Sequence, residues 1–257
     1  MFKARLAKYT WLFSFVFLFS AFSPEKGSVV VDYNLSVALG SEDFRTFSDK
    51  IYQRFELKQE ALSADVFELA LRGYLLLKYN GELENDRFLT IIDFSKSSKE
   101  RRLWVIDFIT KKVLIHDLVA HGKNSGQEYA NSFSNRFESR QTSLGFYSTG
   151  SIYNGKHRLS LKLKGMEYGF NHNAFARGIV FHGANYVDDR IVAENQQIGR
   201  SFGCPAVAQD VNQTLVSMIK DGSCVFHYAP VEYYLKHSKI LNSDSYIPLR
   251  ELKDMAE

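Results

Sequence analysis

The chain has little cysteine, two residues in 257, and its seven histidines are scattered. That excludes a metal centre of recognised spacing, because zinc sites draw on closely spaced Cys and His ligands. No basic patch interleaved with aromatics and no zinc-finger spacing occurs, so nothing points to a nucleic-acid partner. The chain has no internal repeat and no low-complexity tract, and no cofactor is implied. No apolar run reaches the roughly 20 residues of a comfortable membrane crossing, so no stable span is expected once the N-terminal segment is removed.

What is present begins with a leader. Lys3, Arg5 and Lys8 form a positive head, an apolar run follows from Trp11 to Phe22, and Ala21 and Ser23 offer small residues at the −3 and −1 positions of a cleavage site. The expectation is a signal peptide over 1–23 and an exported protein of the periplasm or cell envelope. A retained anchor and a buried N-terminal helix are the competing readings. The absence of Cys near its end excludes a lipid-modified N-terminal cysteine. This segment carries three of the 32 Lys and Arg residues and no acidic one, which leaves 29 of each sign beyond it, so the formal charge of +3 belongs to the leader. The remaining composition, 45% hydrophobic with 21 Phe and 14 Tyr, is enough for a core and favours strands.

Pro24, Gly27 and Gly40 mark residues 24–40 as an extended linker. From Ser41 to about residue 82 the period is helical: Phe44, Phe47, Ile51 and Phe55 share one face, and Val66, Phe67, Ala70, Leu71, Tyr74 and Leu75 share another. Ser63 is placed to cap the second helix and Asn80-Gly81 to end it. The period then changes to strand at 88–94, 102–108 and 112–119, separated by turn residues too few for crossover helices, as in an antiparallel meander. Further strands are expected at 159–164, 178–181 and 223–228, with a helix over 207–219. Residues 83–230 read as the chemical domain and 231–257 as a tail packed on its sheet.

The chemistry concentrates in two stretches, Ile179 to Ala184 and Gly199 to Pro205. An apolar strand runs into His182-Gly183, which puts an imidazole at a strand end. Gly203 before Cys204 permits unusual backbone angles, and Pro205 fixes the next φ and removes a donor, so the thiol can project from a rigid turn. A Cys–His pair suits acyl transfer: the imidazole generates thiolate from a group whose free pKa is about 8.5, the sulfur attacks an amide carbonyl, and the imidazolium protonates the departing amine. Backbone N–H groups around Ser201, Phe202, Gly203 and Cys204 are candidates for the oxyanion. The bland readings are a structural Cys204–Cys224 disulfide and a buried free thiol at Cys224.

Taken together, Phe181-His182-Gly183-Ala184 and Gly199-Arg200-Ser201-Phe202-Gly203-Cys204-Pro205-Ala206 resemble the murein L,D-transpeptidase catalytic-domain family, in a divergent exported branch. The resemblance extends through 119–126, 133–135, 142–145, 153–157 and 165–167, and covers roughly residues 60–230. It implies a mainly β, α+β fold, with a β-sandwich or barrel-like catalytic domain behind an N-terminal helical segment. It also implies Cys204 as nucleophile, His182 as base and acid, Gly183 as the carbonyl that orients the imidazole, and Arg200 as a grip for a substrate carboxylate. The substrate implied is the peptidoglycan tetrapeptide stem, acylated at its L-centre carbonyl and passed to another stem or an envelope protein. The better-known branch carries a second His immediately before Gly-Cys, and here that position is Phe202. Hydrolysis by the same acyl-enzyme, as a carboxypeptidase or endopeptidase, needs only water as acceptor, and a non-enzymatic peptidoglycan-binding protein is the third reading. Secondary candidates for the cleft are His121, Asn135, Ser139, Ser143 and Tyr147, each with a structural alternative as a turn or loop residue. Glu167 is expected to neutralise Arg158 or Arg177. His227, expected half-buried and satisfied, is the runner-up base.

Overall fold

A computed structural model describes residues 36–156, 158–194 and 196–256, so the expected leader and most of the expected linker lie outside the described residues. The described chain begins with a short strand, β1 (Ser36–Ala38), and the helices α1 (Glu42–Arg54) and α2 (Ala64–Tyr79). Ser41 caps α1, its hydroxyl accepting from the Phe44 N–H at 3.2 Å, whereas Ser63 occupies the N-cap of α2 without that side-chain bond. The apolar faces expected from the period are the buried ones: Phe44, Ile51 and Phe55 on one side of the turn between the helices, and Val66, Phe67, Ala70, Leu71, Tyr74 and Leu75 on the other.

The strands β2 (Phe88–Asp93), β3 (Leu103–Asp107) and β4 (Lys112–Asp117) form the expected antiparallel meander. They are followed by β5 (Gly145–Gly155), β6 (Arg158–Gly165) and β7 (Val180–Gly183), then α3 (Asp189–Ala193), β8 (Ala206–Val207), α4 (Gln209–Ile219) and β9 (Cys224–Tyr228). One eight-stranded sheet results, in the order β4-β3-β2-β9-β5-β6-β7-β8. Its pairs are antiparallel except β2–β9 and β7–β8, which are parallel. Beyond β4 the chain crosses to the opposite edge: Ala120 and Ala206 exchange backbone bonds at 2.8 and 3.4 Å, and Ser201 N–H donates to His121 O at 2.9 Å. The sheet is thereby nearly closed, and few edge groups are left unpaired there. This is the mixed α+β, mainly β architecture expected from the sequence.

The longest strand, β5, is not revealed by the period, because Gly145, Gly150, Gly155, Ser148 and Ser151 dilute its apolar alternation, and the two- and three-residue strands β1, β8 and Tyr246–Pro248 are too short to show one. It is held by its neighbours. Phe146 stacks on Phe226 of β9 with ring centroids 4.2 Å apart, and its ring lies against Gly73 of α2, where an added Cβ would meet it at 2.0 Å. A buried Phe contributes about 1.5–3 kcal/mol by leaving water, so the α2–β5–β9 contact joins the helices and the sheet in one core.

The tail comprises α5 (Glu232–His237), β10 (Tyr246–Pro248) and α6 (Leu249–Ala256). β10 pairs with β1, and α6 packs on α1, so much of the tail closes on the N-terminal helices. The attachment to the sheet is polar. Glu167 accepts from Phe146 N–H at 2.9 Å, from Tyr234 OH at 2.9 Å and from the Ser238 hydroxyl. Its partners are therefore neutral donors, not Arg158 or Arg177, and burial raises its pKa. Among the described residues, no helix is long and apolar enough to cross a membrane.

Candidate active site

His182 sits on β7 with its ring buried. Its Nδ1 lies 3.0 Å from the Gly183 carbonyl, and because a carbonyl only accepts, Nδ1 carries the proton and Nε2 the basic lone pair. Gly183 is closely packed against α4: a Cβ would stand 2.6 Å from Gln209 Oε1, the end of a flexible side chain, and 3.2 Å from Asn212 Cβ, so a side chain there would need Gln209 to swing aside and α4 to give slightly.

The cysteine turn is stapled internally. Ser201 Oγ accepts from Gly203 N–H at 3.0 Å and donates to the Cys204 carbonyl at 2.6 Å. Gly203 has φ +123°, and a Cβ there would stand 2.9 Å from the Gln141 carbonyl, so the turn demands glycine on both counts. Because its N–H is engaged by Ser201, Gly203 is not an available oxyanion donor. The N–H groups of Phe202 and Cys204 find no acceptor among the described residues.

Cys204 is partly exposed and its sulfhydryl donates to Gly178 O at 3.7 Å. Burial pushes the thiol pKa up, while the Val180 backbone N–H and the Arg177 guanidinium pull it down. Tyr186 also feels the sulfur: burial, then the neighbouring Cys204, raise its hydroxyl to about 12. In the parallel β7–β8 pair His182 stands opposite Ala206, so Cys204, two positions earlier, comes level with Val180 on the neighbouring strand. The bond from Val180 N–H to the sulfur agrees with that register.

A cleft of about 550 Å³ opens beside the turn, lined by Asn124, Phe137, Glu138, Arg140, Arg177 and Phe202 among others. Phe202 is 67% exposed, between Lys123 Nζ at 5.0 Å and Arg140 Cζ at 4.9 Å from its ring centre. It forms a rim where the better-known branch has its second imidazole.

The secondary candidates fall elsewhere. His121 is fully buried; its Nδ1 accepts from Arg102 Nη2 at 2.8 Å, which leaves the proton on Nε2 and keeps the ring neutral. Burial and the Arg102 charge lower its pKa to about 4. It is thus a buried loop histidine, with Arg102 as its side-chain partner and the Gly126 and Gln127 backbone beside it, and it does not face the cleft. Ser143 and Tyr147 are buried and bonded to one another at 2.8 Å, behind the cleft surface. Asn135 ties the 133–140 loop to the next one, donating to His172 Nδ1 at 2.8 Å and accepting from Asn173 N–H at 3.0 Å. Ser139 bonds Arg177 at 3.2 Å. Arg200 uses Nη1 on the carbonyls of Lys123 and Gly126, at 3.2 and 2.8 Å, and so braces the 122–130 segment. His227 is fully buried, not half-buried, and its Nε2 has no partner, so it is not satisfied either.

The disulfide reading fails on topology. Both thiols are free, and Cys224 on β9 is separated from β8 by β5, β6 and β7. Four strand spacings of about 4.8 Å exceed the roughly 7 Å limit between bridged Cα atoms. Among the described residues no cluster of His, Cys, Asp or Glu is arranged to hold a metal ion. Sequence reasoning missed Arg177 and the Val180 N–H, because the first carries no signal beyond standing just ahead of β7 and the second is a backbone group placed by pairing.

A nearly closed mixed sheet, with a histidine on the strand next to one edge and a cysteine turn leading into the edge strand, defines a class of thiol-bearing β domains. Within that class, residues 58–228 match the family model of the L,D-transpeptidase catalytic domain, and the chain belongs to that family. No curated relative matches the chain. Among solved structures, it is similar to an L,D-transpeptidase from Mycobacterium smegmatis, at 13% identity over 56% of this chain and 59% of that one, with a TM-score of 0.36. L,D-transpeptidase 1 from Mycobacterium tuberculosis is similar at 11% identity over 56% and 62%, TM-score 0.33. One from Xylanimonas cellulosilytica follows at 16% over 55% and 60%, TM-score 0.32. The chain thus spans about three fifths of the length of these structures, and they place no residue of its site.

Proposed function

We propose that this protein is an exported cysteine acyltransferase that acts on peptidoglycan tetrapeptide stems, with Cys204 as nucleophile and His182 as base and acid. The observation that carries the reading is the β7–β8 register, which sets the cysteine turn beside the strand of a histidine whose Nδ1–H is already committed to Gly183 O. Nε2 takes the thiol proton and the sulfur bonds to the L-centre carbonyl carbon of the stem. The tetrahedral oxyanion meets the N–H groups of Phe202 and Cys204, the C–N bond breaks, and the imidazolium returns the proton to the departing D-amino acid. An amine on a second stem or envelope protein then attacks the thioester, the C–S bond breaks, and His182 passes the amine's proton to the sulfur, which restores the thiol.

Water in the acceptor's place gives a carboxypeptidase, and the open cleft beside Phe202 admits it. Incubation with purified stem peptides and intact-mass measurement separates these outcomes. The acyl-enzyme mass is expected on the wild type and not on Cys204→Ala; an amine-exchanged product identifies transfer, and a shortened stem alone identifies hydrolysis. If the wild-type thiol never acylates with any stem peptide in reducing buffer, the enzymatic reading fails and the non-enzymatic binder remains.

A further inference from the structure

The guanidinium of Arg177, like that of the buried Arg102, is held by neutral acceptors alone, but it stands against the cysteine turn. Nη1 donates to Ser134 O at 2.8 Å and Ser143 Oγ at 3.3 Å, and Nη2 to Gln141 O at 2.7 Å and Ser139 Oγ at 3.2 Å. All four terminal N–H bonds are consumed by neutral acceptors, and no carboxylate pairs with it among the described residues. Such a group has no fork left for a substrate carboxylate, yet keeps its full charge. It stands against the cysteine turn: Nη2 lies 3.4 Å from where a Cβ on Gly203 would be, and Gly178, the next residue, supplies the carbonyl that the Cys204 sulfhydryl reaches.

We propose that Arg177 is a positioning residue that stabilises the Cys204 thiolate as His182 removes its proton, a fixed cation built into the cleft wall of a chain whose position 202 is phenylalanine. The inference rests on Cys204 being the nucleophile. A thiol buried beside Tyr186 and β7 is disfavoured as an anion, and the opposing contributions come from the Val180 N–H and from Arg177. The ionisable groups around the turn are Arg177 from the loop before β7, His182 on β7 and Tyr186 after it, Arg200 from the turn's own segment, Lys123 and Arg140 on either side of the Phe202 ring, and Glu138 in the cleft wall. Of the cations, Arg177 is the one whose charge acts on the sulfur, and as a partly buried group it is screened less by salt than the exposed Arg140. A neighbouring cation lowers an acid's pKa by about one to three units.

The test reads the sulfur itself, without peptide. The rate of Cys204 alkylation by iodoacetamide is followed by intact mass from pH 5 to 10 on the full chain, in wild type, Arg177→Gln, Arg177→Lys and Ser139→Asp. Arg177→Gln is expected to move the titration midpoint up by about one unit and slow alkylation at neutral pH about tenfold. Arg177→Lys restores most of the lost shift, because the charge survives without the fork. Ser139→Asp puts a carboxylate at the position now 3.2 Å from Nη2, cancels the field with the arginine and its loop contacts in place, and raises the midpoint in the same direction. A merely structural Arg177 predicts Gln and Lys variants equally impaired and an unmoved midpoint in Ser139→Asp, which would overturn the proposal. Should Arg177→Gln fail to fold, the Lys and Asp variants decide. Stem peptides that never acylate Cys204 sink the enzymatic reading, whereas an unmoved titration sinks only the role of Arg177.

Discussion

The protein holds two cysteine–histidine neighbourhoods, and only one lies beside an open cleft. Cys204 and His182 occupy the β7–β8 edge, beside an open cleft. Cys224 and His227 share strand β9, which lies between β2 and β5 in the middle of the sheet. Three positions apart on a strand, Cys224 and His227 point to opposite faces and cannot exchange a proton. Burial drives the Cys224 thiol far up and His227 down to about 4, so both stay neutral. At Cys204 the same upward push is opposed by a backbone N–H and a guanidinium. Residue type therefore does not separate a reactive thiol from an inert one; the donors and charges brought to the sulfur do.

The widest expected contrast is in activity. Cys204→Ala should lower acyl-enzyme formation by on the order of a thousandfold or more, whereas Cys224→Ala should leave the rate within about twofold once its modest stability cost is allowed for. A Cys224 variant that abolished turnover in a folded protein would break the comparison. The imidazoles should divide next: His182→Gln is expected to lose about 10²–10⁴ in rate, while His227→Phe keeps the rate. Its Nε2 has no partner to lose, and Ser143 O retains the bond from Tyr147 OH.

A third contrast is in stability against acid. His121 and His227 have folded pKa values near 4 against an ordinary value of 6.5. Unfolded chains take up these protons below about 6.5, so the contribution is full above that pH and is lost as pH falls towards 4, at most on the order of 3 kcal/mol each. Denaturant titrations at pH 7 and 4.5 should show a steep loss in the wild type and about half that loss in His227→Phe. An equal loss in both would mean that His227 is already charged in the fold. The smallest effect expected is at the rim: Phe202→Ala should change stability by no more than about 0.5 kcal/mol, because the ring is mostly exposed, and Gly73→Ala offers a reference from the core. There the alanine Cβ meets the Phe146 ring at 2.0 Å, and about 1–3 kcal/mol of overpacking outweighs the gain in helix propensity.

Much of this was legible along the chain. The apolar faces of α1 and α2 follow the helical period residue by residue, the β2–β4 meander follows from its turn residues, and His182-Gly183 and Gly203-Cys204-Pro205 stand out because each backbone requirement is local. What failed was non-local. β5 hid behind its glycines and serines, since cross-strand partners such as Phe226, and not its own pattern, hold it as a strand. His121 and Tyr147 carried the residue types of a cleft, but their bonds to Arg102 and Ser143 face inward.

The amino-acid order by itself determined α1, α2, the β2–β4 meander and the local turn chemistry around Cys204, because period, caps and turn residues act over a few neighbouring positions. Only the tertiary structure decided which thiol met which environment. The parallel pairing of β7 with β8, the insertion of β9 between β2 and β5, and the docking of Arg177 against the cysteine turn join residues far apart in sequence. Burial and field strength are properties of those pairings, and no local pattern encodes them.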